Sequence, residues 1–358
     1  MTRLSGFRTD AGEGELSATS NESHAEGGPL VTCVIIFLNG ERFIAEAIES
    51  ILAQTYRNWE LILVDDGTTD GATAIARDYA ARHPGRIRYT EHENHENRGM
   101  SASRNAGVRL GKGKYVSFLD ADDIWLPERL EVHVDLLERT PEAVMSVGPT
   151  LLWSSWDTEL PRSRPWLSQD MRTLMELPPG QVLPAPRVAR QYLESHGAGV
   201  VAIHSLMIRR EKLLAIGGFE ESFRSLYEDQ VFIFKVLLNY PIIAIDRILD
   251  RYRQHTQSAT KLAGGVAGDA RMRPVFLEWL QTYLIGLGIT DPDLWRALRG
   301  EMYRFDNPRA WRMANLPNAI VDAWNTESRR AVIFLLTPKV YHRLRRMAGL
   351  KPLSVDQA

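Results

Sequence analysis

Residues 114–130 read KYVSFLDADDIWLPERL, an apolar run that leads into three aspartates. Its opening YVSFL is apolar and rich in β-branched and aromatic side chains, a pattern typical of a buried strand. Asp120, Asp122 and Asp123 follow directly, and Pro127 suits the first turn of a helix. Carboxylates crowded at a strand end repel one another unless a cation lies among them, usually a divalent metal. A polar loop with a helix cap is the equal alternative.

The composition is that of an ordinary globular enzyme. The chain has 358 residues, of which 44% are hydrophobic and 25% charged, with a net charge of −2. This balance argues against a general nucleic-acid binder. The single cysteine, Cys33, precludes an internal disulfide and fits a reducing compartment. Because apolar runs fall short of the roughly 18 residues of a membrane span and the start lacks signal-peptide character, we expect a cytoplasmic protein.

Strand and helix patterns alternate along the first part of the chain. Four apolar runs have the composition of buried strands: 31–37, 59–64, 87–90 and 115–119. Three intervening segments carry apolar residues at helical spacing: 41–54, 72–82 and 99–110. This alternation predicts an α/β fold with a mainly parallel sheet and helices on both faces. Ligands of such sheets bind beyond the carboxyl ends of the strands, where the acidic residues of this chain fall.

The rest of the chain is less regular. Residues 1–28 have the composition of a disordered tail, so residues 29–260 would form the sheet domain and 261–358 a helical extension. Within these, 202–208 and 242–253 predict strands, whereas 210–216, 228–239 and the region from about residue 275 predict helices. The segment 329–351 has seven Lys or Arg and no acid. It could lie on an anionic membrane, but a helix packed on the body is favoured.

Three stretches occur in the order and at the spacing of a known enzyme family. They are VIIFLNGERFIAEAIESILAQTYRNWELILVDDGTTD, NRGMSASRNAGVRLGKGKYVSFLDADDIWLPERL and GGFEESFRSLYEDQVFIFKVL. Together they resemble glycosyltransferase family 2 over roughly residues 31–258. The resemblance implies a Rossmann-like GT-A catalytic domain that transfers a sugar from a nucleoside diphosphate with inversion at the anomeric carbon. A UDP-sugar is favoured as donor, with GDP and dTDP open.

The resemblance places the donor nucleotide at the ends of the first two strands. The family carboxylate that reads the base corresponds to Asp66, and Asp65 would orient the loop or help. Phe37 and Asn39 lie where the first strand contacts the base. For Asp66, an Asx turn or cap before Thr68 is the structural alternative.

The resemblance places a metal beside the donor. Asp120 and Asp122 match the family's Asp-x-Asp, so Asp122 would coordinate Mg²⁺ or Mn²⁺ while Asp120 faces the ribose or a metal-bound water. His255 could join the metal shell, and Asp123 is expected to cap the next helix or support the site. Arg104 matches a position near the donor and would pair with phosphate or the strand-end carboxylates, with a surface salt bridge as the alternative.

The acceptor side matches the family's Glu-Asp pair. Asp229 would be the catalytic base, Glu228 would position the acceptor or a loop, and Arg253 would contact the acceptor or the diphosphate. Polysaccharides, lipid-linked sugars, proteins and natural products are acceptors in this family, and residues 329–351 suggest peripheral membrane contact. The rival interpretations are a non-catalytic nucleotide-sugar-binding scaffold or partner subunit, and a nucleotidyltransferase. The latter would need a Gly-rich basic loop after the first strand, which NGERF does not supply.

Overall fold

The computed structural model describes residues 28–157, 170–173, 177–195, 201–224, 226–263 and 265–307. An eight-stranded sheet has the order β3-β2-β1-β4-β10-β6-β11-β9. Its strands are β1 (Val31–Phe37), β2 (Trp59–Asp65), β3 (Ile87–Glu91), β4 (Tyr115–Asp120), β6 (Met145–Val147), β9 (Val182–Leu183), β10 (Leu206–Arg209) and β11 (Ile242–Ala244). The first four strands are parallel, as predicted, whereas β10 runs antiparallel to both its neighbours.

Helices cover both faces of the sheet. They are α1 (Ile44–Leu52), α2 (Ala72–Arg82), α3 (Met100–Leu110), α4 (Arg129–Arg139), α5 (Arg187–Glu194), α6 (Arg210–Ala215), α7 (Glu228–Asn239), α8 (Ala259–Leu262), α9 (Gly265–Gly286) and α10 (Pro292–Asp306). Alternate residues of β1 point to opposite faces. Val34 belongs to the core under α3 and α7, and Ile35 to the core under α1, α2 and α4. Two apolar layers therefore fix the sheet and leave its strand ends for polar residues.

A second, four-stranded sheet lies beside the strand ends and was not predicted. Its order is β5-β12-β7-β8, with β5 (Ile124–Trp125), β7 (Leu151–Trp153), β8 (Met171–Arg172) and β12 (Asp250–Arg253). Because β5 follows the acidic stretch after β4 and pairs with β12, this sheet brings Arg253 and His255 to that stretch. The predicted strand region 242–253 is thus divided between the two sheets.

The predicted start of the C-terminal helix near residue 275 is wrong, because α9 begins at Gly265 and continues through Pro274. Its first half is poor in apolar residues and is held by polar contacts instead. Arg273 pairs with the buried Glu301 of α10 at 2.6 Å, and Asp269 accepts a hydrogen bond from Tyr227. Hydrophobic periodicity does not detect a helix stabilised in this way.

The helical extension packs against the body through the same core as α7. Phe276 of α9 and Leu294 of α10 belong to that core. Among the described residues, none of the helices combines the length and apolar character that a membrane span requires. The predicted tail 1–28, except its last residue, and the basic segment 329–351 lie outside the described residues.

Candidate active site

Asp66 follows β2 at the carboxyl edge of the sheet, and its carboxylate is held by backbone N–H groups. Its Oδ1 accepts hydrogen bonds from the N–H groups of Arg98 at 2.7 Å and Gly99 at 3.1 Å, and its Oδ2 from Gly99 at 3.1 Å. Gly99 has φ +87, which favours glycine. Asp66 is thus neither a cap nor the centre of an Asx turn, and its Oδ2 carries only one of these bonds.

Asp65 is fully buried and Asp66 is 4% exposed, but the oxygens of Asp65 are occupied by more side-chain contacts. Its Oδ1 accepts from the N–H of Thr68 at 2.8 Å; the Asx turn was the alternative considered for Asp66, not for Asp65. Its Oδ2 accepts from the hydroxyl of Thr73 at 2.5 Å and lies 3.1 Å from the hydroxyl of Tyr89, which makes a shorter bond of 2.6 Å to Glu91. Asp65 therefore orients the loop, and the structure does not present it to a ligand.

The end of β1 contacts the loop after β2 through its backbone and through the side chain of Asn39. Asn39 has φ +54, and its Oδ1 accepts from the N–H and hydroxyl of Thr69 at 2.8 and 3.0 Å. Phe37 is 3% exposed and packs under α1, so its side chain does not reach the strand-end edge. Its carbonyl accepts from the N–H of Asp66 at 2.9 Å. The exposed apolar side chain at this edge is Leu38, 47% exposed.

Arg104 joins the strand-end carboxylates to α7. Its Nη2 donates to Asp120 Oδ1 at 2.8 Å, and its Nη1 donates to Glu228 Oε1 at 2.7 Å. The guanidinium is 2% exposed, so the surface salt bridge is excluded. Because buried ion pairs lose little to solvent screening, Arg104 holds the two acidic groups at a defined separation. One cation thus links the end of β4 to the start of α7.

The acidic pair at the start of α7 has perturbed proton affinity. Burial and the neighbouring Asp229 raise the pKa of Glu228 to about 7, against the opposing charge of Arg104. Burial also raises the pKa of Asp229, which Arg104 and the N–H of Gln230 oppose. Asp229 is half-buried and accepts from Gln230 at 2.7 Å. A carboxylate with a raised pKa accepts protons more readily than an ordinary aspartate.

Asp122 and His255 face each other at the same edge. Their Oδ2 and Nε2 atoms are 2.9 Å apart, and the side chains are 27% and 10% exposed. This places together the two residues predicted as metal ligands. Carboxylate oxygen and imidazole nitrogen are donors that a divalent cation accepts, and the partial exposure leaves room for further ligands.

Arg253 supports this pair from within the protein. It donates from Nε to the carbonyl of Asp122 at 2.8 Å and from its backbone N–H to Asp123 Oδ1 at 2.8 Å, and it pairs with Glu46. Three aromatic rings flank its guanidinium at 4.6–4.9 Å: Phe43, Trp153 and Trp156. Arg253 is buried and engaged, so it positions the acidic loop and does not face the open edge.

Of the two roles expected for Asp123, the helix cap is not observed, because α4 begins after Glu128 without a side-chain cap. Instead it is buried against His204, with Oδ2 and Nδ1 3.0 Å apart. Burial would lower the pKa of His204, but the charges of Asp123 and Asp250 raise it to about 9. Asp120, Asp123 and His204 bring ligand atoms within 4.8 Å of one another. Sequence reasoning missed His204, although a polar residue inside the apolar run AIHSLMI was a signal.

Comparison with known proteins identifies relatives of this chain. The family model described as glycosyl transferase family 2 matches residues 32–214. EpsE of Bacillus subtilis, described as a glycosyltransferase, is 45% identical over 112 residues, which are 31% of this chain and 40% of EpsE. A glycosyltransferase of Rickettsia felis is 29% identical over 233 residues, 65% of this chain and 35% of that protein. The chain thus matches well under half the length of either relative.

Two solved structures have a similar fold. The mannosyltransferase PcManGT of Pyrobaculum calidifontis, in complex with GDP-Man and Mn²⁺, aligns over 91% of this chain and 84% of its own with a TM-score of 0.55 and 19% identity. S. aureus TarS 1-349 aligns over 80% of this chain and 74% of its own, with a TM-score of 0.53 and 15% identity. At these identities the likeness establishes the GT-A fold.

Proposed function

The chain belongs to glycosyltransferase family 2, and we propose that it transfers a sugar from a UDP-sugar to an acceptor hydroxyl with inversion at the anomeric carbon. The observation that carries this proposal is the Arg104 bridge, at 2.8 Å to Asp120 and 2.7 Å to Glu228. It sets Asp120, at the end of β4, beside the acidic pair of α7 in one centre. A protein that only bound nucleotide sugars would have no need of this second group.

Asp66 supports uracil as the base. Uracil presents a single N–H between two carbonyl groups, whereas guanine presents two adjacent N–H donors on one edge. Asp66 Oδ1 already accepts two backbone N–H groups and Oδ2 only one, so one further donor fits better than two. Among structures with this fold, PcManGT is in complex with GDP-Man and TarS with UDP-GlcNAc, the latter at a TM-score of 0.50. The fold thus accommodates either base.

Asp122 and His255 are the residues that would hold Mg²⁺ or Mn²⁺, since their ligand atoms converge at 2.9 Å and are partly exposed. When bound, the cation offsets negative charge on the diphosphate. Asp120, which is 29% exposed and held by Arg104, would face the ribose or a water beside it. Arg253 keeps Asp122 in place through its bond to the Asp122 carbonyl.

Asp229 is the general base of the proposed reaction. As the acceptor oxygen attacks the anomeric carbon, its proton passes to the Asp229 carboxylate and the bond between sugar and UDP breaks. One displacement inverts the configuration and needs no covalent enzyme intermediate. Glu228, held by Arg104, fixes the start of α7 and so the position of Asp229. We expect a carbohydrate, lipid-linked or natural-product acceptor, with peripheral membrane contact through residues 329–351 as a further prediction.

We expect UDP to bind at least about 10-fold more tightly than GDP, because one unmatched polar group in a binding site costs that order of affinity. Calorimetric titration of UDP, GDP and dTDP with Mn²⁺ measures this preference, and dTDP, which shares the N–H of uracil, is the matched comparison. Equal affinity for UDP and GDP would contradict the role given to Asp66. Hydrolysis of UDP-sugars in the same solutions separates an enzyme from a scaffold, which would bind without turnover.

A further inference from the structure

The segment of residues 92–99, HENHENRG, packs over the loop that carries Asp66. Asn94 and His95 both have left-handed backbone, each with φ 56, which is uncommon for residues other than glycine, although Asn and His adopt it more often than most. A Cβ atom on Gly67 would lie 3.0 Å from the carbonyl oxygen of His95, so the segment rests directly on the loop. The last two residues of the segment donate the N–H groups that hold Asp66. Segment 92–99 and the Asp66 carboxylate are therefore held together by these hydrogen bonds.

The His95 ring contacts two groups that can only accept hydrogen bonds. Its Nε2 lies 2.7 Å from the carbonyl oxygen of Thr68, and its Nδ1 lies 2.9 Å from Glu91 Oε2. A neutral imidazole has only one N–H group, so both contacts are hydrogen bonds only when the ring is protonated. Thr68 in turn donates to Asp65. The imidazolium thus ties the loop after β2 to the end of β3.

We propose that protonated His95 is a positioning residue that holds segment 92–99 against the loop and so keeps Asp66 ready for the nucleotide base. His95 acts through Asp66, so this inference rests on the proposed function. When the ring loses its proton, one of the two bonds is lost. The two left-handed residues then lose part of the restraint that maintains them, and the N–H groups at Asp66 are free to shift.

The surroundings of His95 determine the sign of the pH effect. The bonds to Thr68 and Glu91 raise the pKa of His95. The charged and titratable groups facing it from neighbouring elements are Asp65 of β2, Glu91 and Tyr89 of β3, and Arg77 of α2, which pairs with Glu91 at 3.2 Å. Because the folded-state pKa is raised above the unfolded value, the restraint is complete at low pH. It is lost as pH rises through the folded-state pKa.

UDP titration with Mn²⁺ at about pH 6 and about pH 9 tests the proposal in wild type, His95→Gln, Glu91→Gln and the control His83→Gln, which lies before the other end of β3. Between about pH 6 and about pH 9, wild type and His83→Gln should each lose UDP affinity. This loss should exceed the loss seen in His95→Gln by a factor on the order of 5, since one charge-assisted bond is lost. His95→Gln should be weaker at low pH by a similar factor. Glu91→Gln removes a charge that raises the pKa of His95, so the loss of UDP affinity should occur at lower pH. A merely structural role of His95 would not produce this shift.

Hydrogen exchange of the ligand-free protein provides a second readout. Peptides covering residues 65–69 and 95–99 should exchange faster in His95→Gln than in wild type at low pH, while α7 is unchanged. Absence of binding to any nucleoside diphosphate in wild type would overturn the proposed function and this inference together. If wild type binds UDP but His95→Gln shows the same pH dependence, or exchange in the two peptides is unaltered, this inference alone is overturned.

Discussion

Asp229→Asn should reduce sugar transfer by about 10³-fold and leave the affinity for UDP within about 2-fold of wild type. The carboxamide has nearly the size of the carboxylate but cannot take the acceptor proton. UDP binding should persist because Asp229 lies at the start of α7, whereas the base and metal positions lie at the ends of β1, β2 and β4. Burial raises the pKa of Asp229 above that of an ordinary aspartate, whereas the amide of Asn has almost no basicity.

The rate of UDP release from the best UDP-sugar, measured together with calorimetric UDP binding, checks this expectation. Glu220→Gln is the matched control, because it removes a carboxylate from the loop before α7 but not from the acidic pair. The control should keep wild-type turnover. Loss of a general base should leave far less than about a tenth of wild-type turnover. If Asp229→Asn keeps more than that, Asp229 is not the base.

Asp122→Ala should weaken UDP binding by at least about 10- to 100-fold at saturating Mn²⁺, and the remaining affinity should no longer depend on the metal. Asp122 is the partly exposed carboxylate that meets His255 at 2.9 Å, whereas Asp123 beside it is buried against His204. Removing Asp122 leaves one of the two residues that would hold the cation. The diphosphate then loses the positive charge that partners it.

UDP titrations with Mn²⁺, and with EDTA in its place, measure this effect. The control Asp135→Ala removes an exposed carboxylate of α4 that pairs with Arg139, and it should behave as wild type. In wild type, EDTA should weaken binding to about the level of Asp122→Ala. An Asp122→Ala variant that binds UDP as tightly as wild type and still responds to Mn²⁺ would show that the cation lies elsewhere.

The elements with clear periodicity were predictable from the sequence. The predicted helices 72–82 and 228–239 agree with α2 (Ala72–Arg82) and α7 (Glu228–Asn239) to the residue, and the first four strands agree to within a residue. The second sheet was not found, because strands of two residues such as β5 and β8 show no detectable period. The early part of α9 was missed because polar contacts stabilise it.

The sequence located the acidic groups of the site but not the division of roles among them. Which of Asp65 and Asp66 can accept a further hydrogen bond depends on contacts with residues such as Tyr89 and Gly99, distant along the chain. Arg104 meets Glu228 across 124 positions, a contact that local patterns do not encode. His204 could have been found from the sequence, because a buried histidine needs a polar partner. In the structure that partner is Asp123.

The anomeric configuration of the sugar first released from the best UDP-sugar most directly tests whether Asp66, Asp122 and Asp229 form one inverting centre. Water can replace the unidentified acceptor, so proton NMR during Mn²⁺-supported hydrolysis reports the configuration before the free sugar equilibrates. We expect an α-linked donor to release the β-anomer first, with the signal absent in Asp229→Asn. First release of the α-anomer, or release at the wild-type rate in that variant, would contradict single displacement with Asp229 as base.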